Sequence, residues 1–263
     1  MAAMPRTVEE LAGMIDHTEL RYGAPMESVR TIADQARTHH CRACCVRPEQ
    51  VPWIIRTLSG SSTRVCAAIG FRLLRDKYIR AKKTGEDFIR RYDIPLEEKV
   101  AEIDQVFDSV EQSGQNVEVE IDLLINVFQY VRFEKDKVKA EIGWLIETAK
   151  SRKPATIVKV IGENFWLNEE EKREIYTWAR EAGADFVKTC SGFTSLGALV
   201  EDVRLIREVV GSSVGIKAAG GVNPYNYFDF LTAGVDRIGT SKAMEILEDF
   251  AARLETSAGG IIC

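Results

Sequence analysis

The chain has few histidines and no excess of positive charge. Three histidines occur among its 263 residues, so chemistry built on a histidine base or a histidine-rich metal site has little support. The 35 basic and 40 acidic residues give a net charge of -5, which differs from the basic surface of a general nucleic-acid binder. We therefore expect a small-molecule partner, and neither a nucleic acid nor a membrane.

Long apolar runs and the pattern of a secretory leader are also missing. No stretch approaches the roughly 18 apolar residues of a membrane span, and Glu9 and Glu10 place acidic charge near the start of the chain. The six cysteines lie mostly beside strand-like residues, which indicates reduced thiols. Cys41, Cys44 and Cys45 form a C-x-x-C-C motif without a second pair of ligands nearby, so no metal site is predicted. A cytoplasmic location is expected.

What the sequence does contain is eight alternations of a short apolar strand and a helix. No proline- or glycine-rich linker divides them, and the length is close to the roughly 250 residues of an eight-stranded α/β barrel. A doubly wound sheet stays an alternative, but the G-x-G-x-x-G that usually follows its first strand is absent. The prediction is one α/β domain over residues 1–263, closed into a barrel. Its strands are predicted at residues 13–16, 41–46, 64–71, 117–127, 156–161, 184–187, 214–219 and 236–239.

Helical spacing and capping residues indicate the helices between these strands. Thr7 and Glu10 match a capping box and predict an extra N-terminal helix, and Pro48 stands where another helix would begin. The remaining helices are predicted at residues 25–38, 95–112, 133–151, 168–182, 196–210, 224–233 and 241–254.

Two segments do not fit the alternation. Eight Lys or Arg residues crowd the stretch from Arg72 to Asp93, which predicts an inserted basic loop at about 72–94. A solvated excursion is the simpler interpretation. A loop that follows a barrel strand lies on the active-site face, however, where its cations could meet an anionic substrate or a neighbouring subunit. The small, Gly-rich residues at about 256–263 predict a flexible tail.

Three predicted strands each carry one lysine among apolar residues. They are T-I-V-K-V-I with Lys159, A-D-F-V-K with Lys188 and V-G-I-K-A-A with Lys217. A single lysine of this kind usually extends to solvent, but three on consecutive strands indicate a shared pocket. A like charge about 6 Å away is worth roughly 2.8 kcal/mol at an effective dielectric of about 20, or about two pKa units. With burial, crowding could free an amine for Schiff-base formation, and Asp122 on the fourth strand is a natural partner.

Glycines and small residues follow the last three strands. Barrels commonly bind phosphate at these loops, because small residues let backbone NH groups approach an anion and a helix N-terminus favours it. The sequence therefore predicts a phosphate site built from Gly192, Gly220, Gly221, Gly239, Thr240 and Ser241.

Motifs along most of the chain resemble the 2-deoxyribose-5-phosphate aldolase family. They are I-D-H-T-E-L, C-C-V-R-P, A-A-I-G-F, E-I-D-L-L-I-N-V, V-K-V-I-G-E, G-A-D-F-V-K-T-C-S-G-F, V-G-I-K-A-A-G-G-V and D-R-I-G-T-S. The resemblance implies a TIM barrel and a class I aldolase that reversibly joins acetaldehyde to glyceraldehyde 3-phosphate without a metal or cofactor. It also implies that Lys188 forms the Schiff base, that Lys217 is the second catalytic lysine and that Asp122 relays protons.

The same resemblance places Asp16, Cys45 and Lys159 at positions that line the pocket. Thr18, Thr189 and Lys242 are also expected to bind substrate, with Lys242 in place of a missing cation at the phosphate. The chain departs from the usual pattern at Asn223, where a basic residue is common, at Lys242, where a serine is usual, and at Cys190-Ser191. A sister aldolase with another aldehyde pair, or a barrel that binds a phosphosugar without turnover, are the alternatives. Homo-oligomerisation is a further possibility that the sequence leaves open.

Overall fold

The computed structural model describes residues 4–71, 94–194 and 196–259. Of the predicted basic insertion at 72–94, residues 72–93 lie outside the described part of the chain, as do residues 260–263 of the predicted tail. None of the described helices is long and apolar enough to cross a membrane.

Eight parallel strands form a closed barrel in which each strand pairs with the next and the last pairs with the first. The predicted TIM barrel is therefore confirmed. The strands are β1 (Ile15–Thr18), β2 (Ala43–Val46), β3 (Arg64–Ile69), β4 (Val119–Leu124), β5 (Ile157–Ile161), β6 (Phe186–Lys188), β7 (Gly215–Ala219) and β8 (Arg237–Thr240).

Helices surround the barrel, and their starts follow ordinary capping chemistry. Asn168 and Glu171 form a capping box, and Thr7 accepts the Glu10 amide at the start of the extra N-terminal helix. The helices are α1 (Val8–Ala12), α2 (Met26–Thr38), α3 (Val51–Leu58), α4 (Leu96–Ser113), α5 (Val127–Val131), α6 (Lys135–Arg152), α7 (Glu169–Glu181), α8 (Val200–Val210), α9 (Tyr227–Ala233) and α10 (Ala243–Gly259). Single 3₁₀ turns occupy Pro48–Gln50 and Asn164–Trp166.

The strands alternate between an apolar outer face and a polar inner face. On β4, Val119, Ile121 and Leu123 pack against the helices, while Glu120 and Asp122 point into the barrel. A period of two residues along a strand requires this arrangement. The polar set includes all three lysines of the sequence prediction, so the same alternation that builds the core gathers their ammonium groups inside it.

Several predicted boundaries are wrong in instructive ways. Strand β1 begins two residues later than predicted, because the Gly13 amide completes the turn that ends α1. The predicted strand at 117–127 ends at Leu124, since Asn126 turns the chain by bonding Glu141 and Ile94, and its last apolar residue starts α5. An apolar run alone does not distinguish the end of a strand from the start of a helix.

Two helices also differ from their predicted limits. Helix α8 begins at Val200 rather than at 196, because Ala198 donates its amide to the Gly220 carbonyl and the residues before Val200 pack along the loop after β7. Helix α10 continues to Gly259, five residues past the predicted end and into the predicted tail.

Candidate active site

A cavity of about 870 Å³ lies at the carboxyl ends of the strands, the face where such barrels carry their active sites. The predicted site residues divide into two groups by their position. Those that line the cavity are Thr18, Lys188, Gly192, Gly220, Gly221, Gly239, Thr240, Ser241 and Lys242. Those that are fully buried without lining it are Asp16, Cys45, Asp122, Lys159, Thr189 and Lys217.

The two predicted catalytic lysines meet at one carboxylate. Lys188 and Lys217 are register partners on β6 and β7, and the Nζ atom of each lies 2.7 Å from Oδ2 of Asp122. Lys159 is the register partner of Asp122 on β5, with its Nζ 2.9 Å from the other oxygen, Oδ1. One carboxylate thus contacts three ammonium groups, and of these Lys188 reaches the cavity.

Two more carboxylates and one guanidinium complete the buried charges. Asp16 Oδ2 lies 2.5 Å from Lys217 Nζ, and Glu120 Oε2 lies 2.6 Å from Lys159 Nζ. Arg237 Nη1 bridges them, at 2.6 Å from Asp16 Oδ1 and 3.0 Å from Glu120 Oε2. The carboxylates come from β1 and β4 and the cations from β5 to β8, so the two signs occupy opposite sides of the barrel.

The pKa values of these groups reflect burial, which disfavours each charge, and oppositely charged neighbours, which favour it. Burial alone would raise the pKa of Asp122, but the three lysines outweigh it and hold that pKa well below its usual range. Burial disfavours the Lys217 cation, yet Asp122 and Asp16 raise its pKa above the ordinary value. The pKa of Lys159 is also raised, by Asp122 and its other neighbours, against the cost of burial. The expectation that crowding lowers the pKa is therefore wrong for Lys159 and Lys217.

Counting the buried charges distinguishes Lys188 from the other two lysines. Four cations, Lys159, Lys188, Lys217 and Arg237, share three carboxylates. Among the described residues, Lys188 contacts one of these carboxylates, whereas Lys217 contacts two and Lys159 contacts three. Lys188 is therefore the lysine of the three with the fewest carboxylate partners, and it is the one that reaches the cavity. It also lies 5.5 Å from the centre of the Phe71 ring.

Two thiols also border Asp122, Cys45 at its Oδ2 and Cys66 at its Oδ1. Cys45 and Cys66 are register partners on β2 and β3, and the Sγ of Cys66 lies 3.3 Å from Asp122 Oδ1. Cys45, Cys66 and Asp122 place potential metal ligands within 4.8 Å of one another, but the Lys159 ammonium, 3.4 Å from Cys66 Sγ, already occupies this corner. A hydrogen bond from Cys66 lowers the pKa of Cys45. The other two cysteines of the C-x-x-C-C motif are not part of this group.

The wall predicted to bind phosphate combines lining residues with supporting ones. Gly220 and Gly221 have φ values of 96° and 73° and line the cavity with Gly192 and Ser241. Gly239 has a different role, because a Cβ there would lie 2.8 Å from Cε of Lys217. Its lack of a side chain makes room for that lysine.

Two threonines and Lys242 of the predicted site make protein contacts. Thr189 exchanges hydrogen bonds of 3.1 Å with both backbone groups of Ala219 and so ties β6 to β7. Thr240 donates to the Val222 carbonyl and accepts the Lys242 amide. Lys242 lines the cavity, but its Nζ also pairs with Glu245 at 2.8 Å and its side chain is 56% exposed.

Sequence reasoning missed Glu120, Arg237 and Cys66. A signal was present for Glu120, since it precedes Asp122 by two residues and must share its face of β4. Cys66 was set aside as distant from Cys45, although pairing of the second and third strands makes them neighbours. Arg237 could not be paired with Asp16 before closure of β8 onto β1 was known.

The barrel and its interior define a class of enzyme. A lysine at the mouth, a second lysine on the next strand and a carboxylate in contact with both are the groups that a class I, Schiff-base-forming aldolase requires.

Comparison with known proteins identifies the family. No protein-family model matches the chain. The chain is 34% identical over 251 residues to the deoxyribose-phosphate aldolase of Caldanaerobacter subterraneus subsp. tengcongensis, covering 95% of this chain and 97% of that protein. It is 35% identical to that of Bacteroides thetaiotaomicron, over 93% of this chain and 92% of the relative. The chain belongs to the deoxyribose-phosphate aldolase family, as its motifs indicated.

Solved structures agree with this assignment. The tetrameric deoxyribose phosphate aldolase of Aeropyrum pernix superposes with a TM-score of 0.77 at 26% identity, over 95% of this chain and 94% of that one. An aldolase named QR15 gives a TM-score of 0.76 at 26% identity, over 93% of this chain and 97% of that one.

Proposed function

We propose that the chain is a class I aldolase that reversibly cleaves 2-deoxy-D-ribose 5-phosphate to acetaldehyde and D-glyceraldehyde 3-phosphate. The observation that carries this proposal is the position of Lys188, which reaches the cavity with its Nζ 2.7 Å from a carboxylate that Lys217 also contacts. The names of the relatives supply the substrate.

The proposed reaction begins with attack of the Lys188 amine on C1 of the open-chain sugar. Asp122, with Lys217 bound to the same oxygen, passes protons to and from the carbinolamine, and loss of water gives an iminium. Loss of the C3 hydroxyl proton then breaks the C2–C3 bond, so the electron pair moves into an enamine and glyceraldehyde 3-phosphate leaves. Protonation at C2 and hydrolysis release acetaldehyde and restore the amine.

The remaining polar groups have supporting roles in this proposal. Asp16 and Lys159 fix the charge of Lys217 and Asp122, and Cys45 supports Asp122 from behind, with its Sγ 3.8 Å from Oδ2. The phosphate is held at the far wall by backbone NH groups and by Lys242, at the start of α10. The residues assigned to substrate binding at the cavity surface are Thr18, Gly192, Gly220, Gly221, Thr240, Ser241 and Lys242.

Borohydride trapping tests the proposal directly. Reduction in the presence of acetaldehyde should leave an ethyl group on Lys188, located by peptide mass spectrometry, and Lys188→Ala should lose both adduct and turnover. Lys99 is an internal control, since it is equally buried in α4 but pairs with Glu141. An adduct on Lys159 or Lys217 with Lys188 unmodified would reject the assignment.

A sister aldolase with a different aldehyde pair is the second candidate. Asn223 and Lys242 favour it, since both replace residues usual in the family at the wall where phosphate is expected. Turnover of deoxyribose 5-phosphate, compared with a panel of phosphorylated and unphosphorylated aldehydes, separates the two: a higher kcat/KM for another pair selects the sister enzyme.

We further propose that the protein forms homo-oligomers in the cytoplasm. The related aldolase of Aeropyrum pernix is a tetramer, and the described cysteines are free and buried, as suits a reducing compartment. Light scattering on the purified protein tests the assembly, because a monomeric mass at micromolar concentration would contradict it.

A further inference from the structure

Glu163 holds a backbone conformation that is unusual for a residue with a side chain. It follows β5 with φ 53° and ψ 57°, the left-handed region, and it is 4% exposed. That conformation is unfavourable for a residue other than glycine, and burying a carboxylate adds a further cost. Strand β5 ends before Glu163 and needs neither feature. The interactions that offset these two costs are therefore the contacts of the Glu163 side chain.

Those contacts all lie on the loop that follows the reactive lysine. The two carboxylate oxygens of Glu163 accept the Ser191 amide at 3.3 and 3.2 Å. The Thr194 hydroxyl oxygen lies 3.4 Å from Oε1 of Glu163 and donates to the Leu196 carbonyl at 2.8 Å. The residues on either side of Glu163 hold the end of β6, because the Gly162 amide bonds the Lys188 carbonyl and the Asn164 amide bonds that of Thr189. The left-handed turn aims the carboxylate along the same loop.

The held segment, Ser191 to Thr194, forms part of the cavity wall. Ser191, Gly192 and Phe193 line the cavity opposite the loop after β7. The rest of the loop is fixed from that other side, where Ala198 bonds Gly220. Without Glu163, the segment between these two attachments would lose its anchor on the β5 side.

We propose that Glu163 is a positioning residue, which holds the Ser191–Thr194 segment so that the wall can receive the phosphorylated end of the substrate. This rests on the proposed function, because it assigns the wall to phosphate. Glu163 touches neither Lys188 Nζ nor Asp122 in the described contacts, so its effect falls on substrate binding more than on the chemical steps. Burial raises its pKa, while Ser191 and Lys188 oppose the rise.

The test compares two substitutions at Glu163 with one matched control. Glu163→Ala should raise KM for deoxyribose 5-phosphate about tenfold, with kcat changed by less than about threefold. Glu163→Gln keeps an oxygen for the Ser191 amide and should restore KM to within about threefold of wild type. The control is Asp185→Ala, since Asp185 accepts the Val158 amide at the opposite end of β6 and should lower the melting temperature without changing KM.

A second substrate distinguishes positioning from general damage. For unphosphorylated deoxyribose, KM should be the same in Glu163→Ala and wild type, and acetaldehyde trapping on Lys188 should be retained. Equal losses on both substrates, or a change in melting temperature alone as in Asp185→Ala, would overturn the proposal. If Glu163→Ala does not fold, Glu163→Asp shortens the side chain, withdraws the carboxylate from the Ser191 amide and should raise KM for the phosphorylated substrate alone. A wild-type enzyme without turnover or trapping would reject the proposed function instead.

Discussion

Asp122 is the residue at which the charges of the barrel interior converge. It contacts three lysines and two thiols. The lysines hold the pKa of Asp122 well below its usual range. A carboxylate with so low a pKa is a weak base by itself. In the proposed mechanism its proton transfer therefore depends on the partners that share the proton, above all Lys217 on the same oxygen.

Replacing Asp122 with asparagine should affect rate and stability together. We expect kcat to fall about a hundredfold to ten-thousandfold, the range for losing a general acid and base, since asparagine cannot relay a proton. The free energy of unfolding should drop by about 3 to 5 kcal/mol, because buried cations lose a partner. Kinetics and urea denaturation measure both. Loss of stability with full activity in the folded fraction would make Asp122 a structural residue.

Lys242 is the residue where this chain most alters the phosphate wall. A charge-assisted contact is worth roughly 1.5 to 3 kcal/mol, so Lys242→Ser should raise KM for a phosphorylated substrate about tenfold and leave kcat nearly unchanged. Glu245→Ala is the complementary variant, because it frees Lys242 from its ion pair and should lower KM. Equal efficiency of wild type and Lys242→Ser on phosphorylated and unphosphorylated substrates alike would assign Lys242 to the surface.

Among the elements, β6 is short but held from both sides. Thr189 ties its end to β7, and the turn at Gly162 to Asn164 ties it to β5. Tyr176 of α7 donates its hydroxyl to Oδ1 of Asn164, and the hydroxyl oxygen lies 3.3 Å from the Lys188 carbonyl oxygen. The backbone of Lys188 thus contacts a helix and both neighbouring strands.

The contact between Gly162 and Tyr176 offers a test at this scale. A Cβ at Gly162 would lie 2.7 Å from the Tyr176 hydroxyl oxygen, so Gly162→Ala must displace the tyrosine from Lys188. We expect a loss of about 1 to 3 kcal/mol in unfolding free energy and a lower kcat. Adding Tyr176→Phe removes the nearest atom and should recover part of the stability. Additive losses in the double variant would show that the two residues do not interact.

The strands and the lysines on them could be predicted from the sequence wherever a local pattern of residues identifies them. Lys159, Lys188 and Lys217 stood out because each interrupts an apolar strand, and parallel strands carry their ends to one face. The raised pKa of Lys217 could not be predicted, because it needs Asp16 in addition to Asp122, and Asp16 lies 201 residues away and meets Lys217 only when the barrel closes. For the same reason the predicted fourth strand runs on to Val127, the first residue of α5, because the bond from the Asn126 amide to Glu141 follows the observed end of β4 at Leu124.

At the scale of the whole molecule, the buried carboxylates link stability to pH. Asp16, Glu120 and Asp122 have folded-state pKa values below their ordinary values near 4, so their contribution is complete above about pH 4.5 and is lost as pH falls through the folded-state pKa values. Urea denaturation should give a nearly constant contribution between pH 5 and pH 7 and a steep loss below about pH 4. Asp122→Asn should flatten that loss, and an unchanged slope would show that other groups cause it.

The carboxylates and the cations inside the barrel come from different halves of the chain, which has a consequence for reassembly from two fragments. The first four strands bring the buried carboxylates and the last four bring the buried cations. Cutting the chain between Arg152 and Thr156 would give two halves, the first with Asp16, Glu120 and Asp122 and the second with the strand cations that neutralise them. Pairing of the unlike halves is favoured, because it supplies these interior charges with their partners. Co-expressed halves should therefore restore aldolase activity and co-purify one to one, whereas either half alone stays inactive, and this pairing should weaken when Asp122→Asn is placed in the first half.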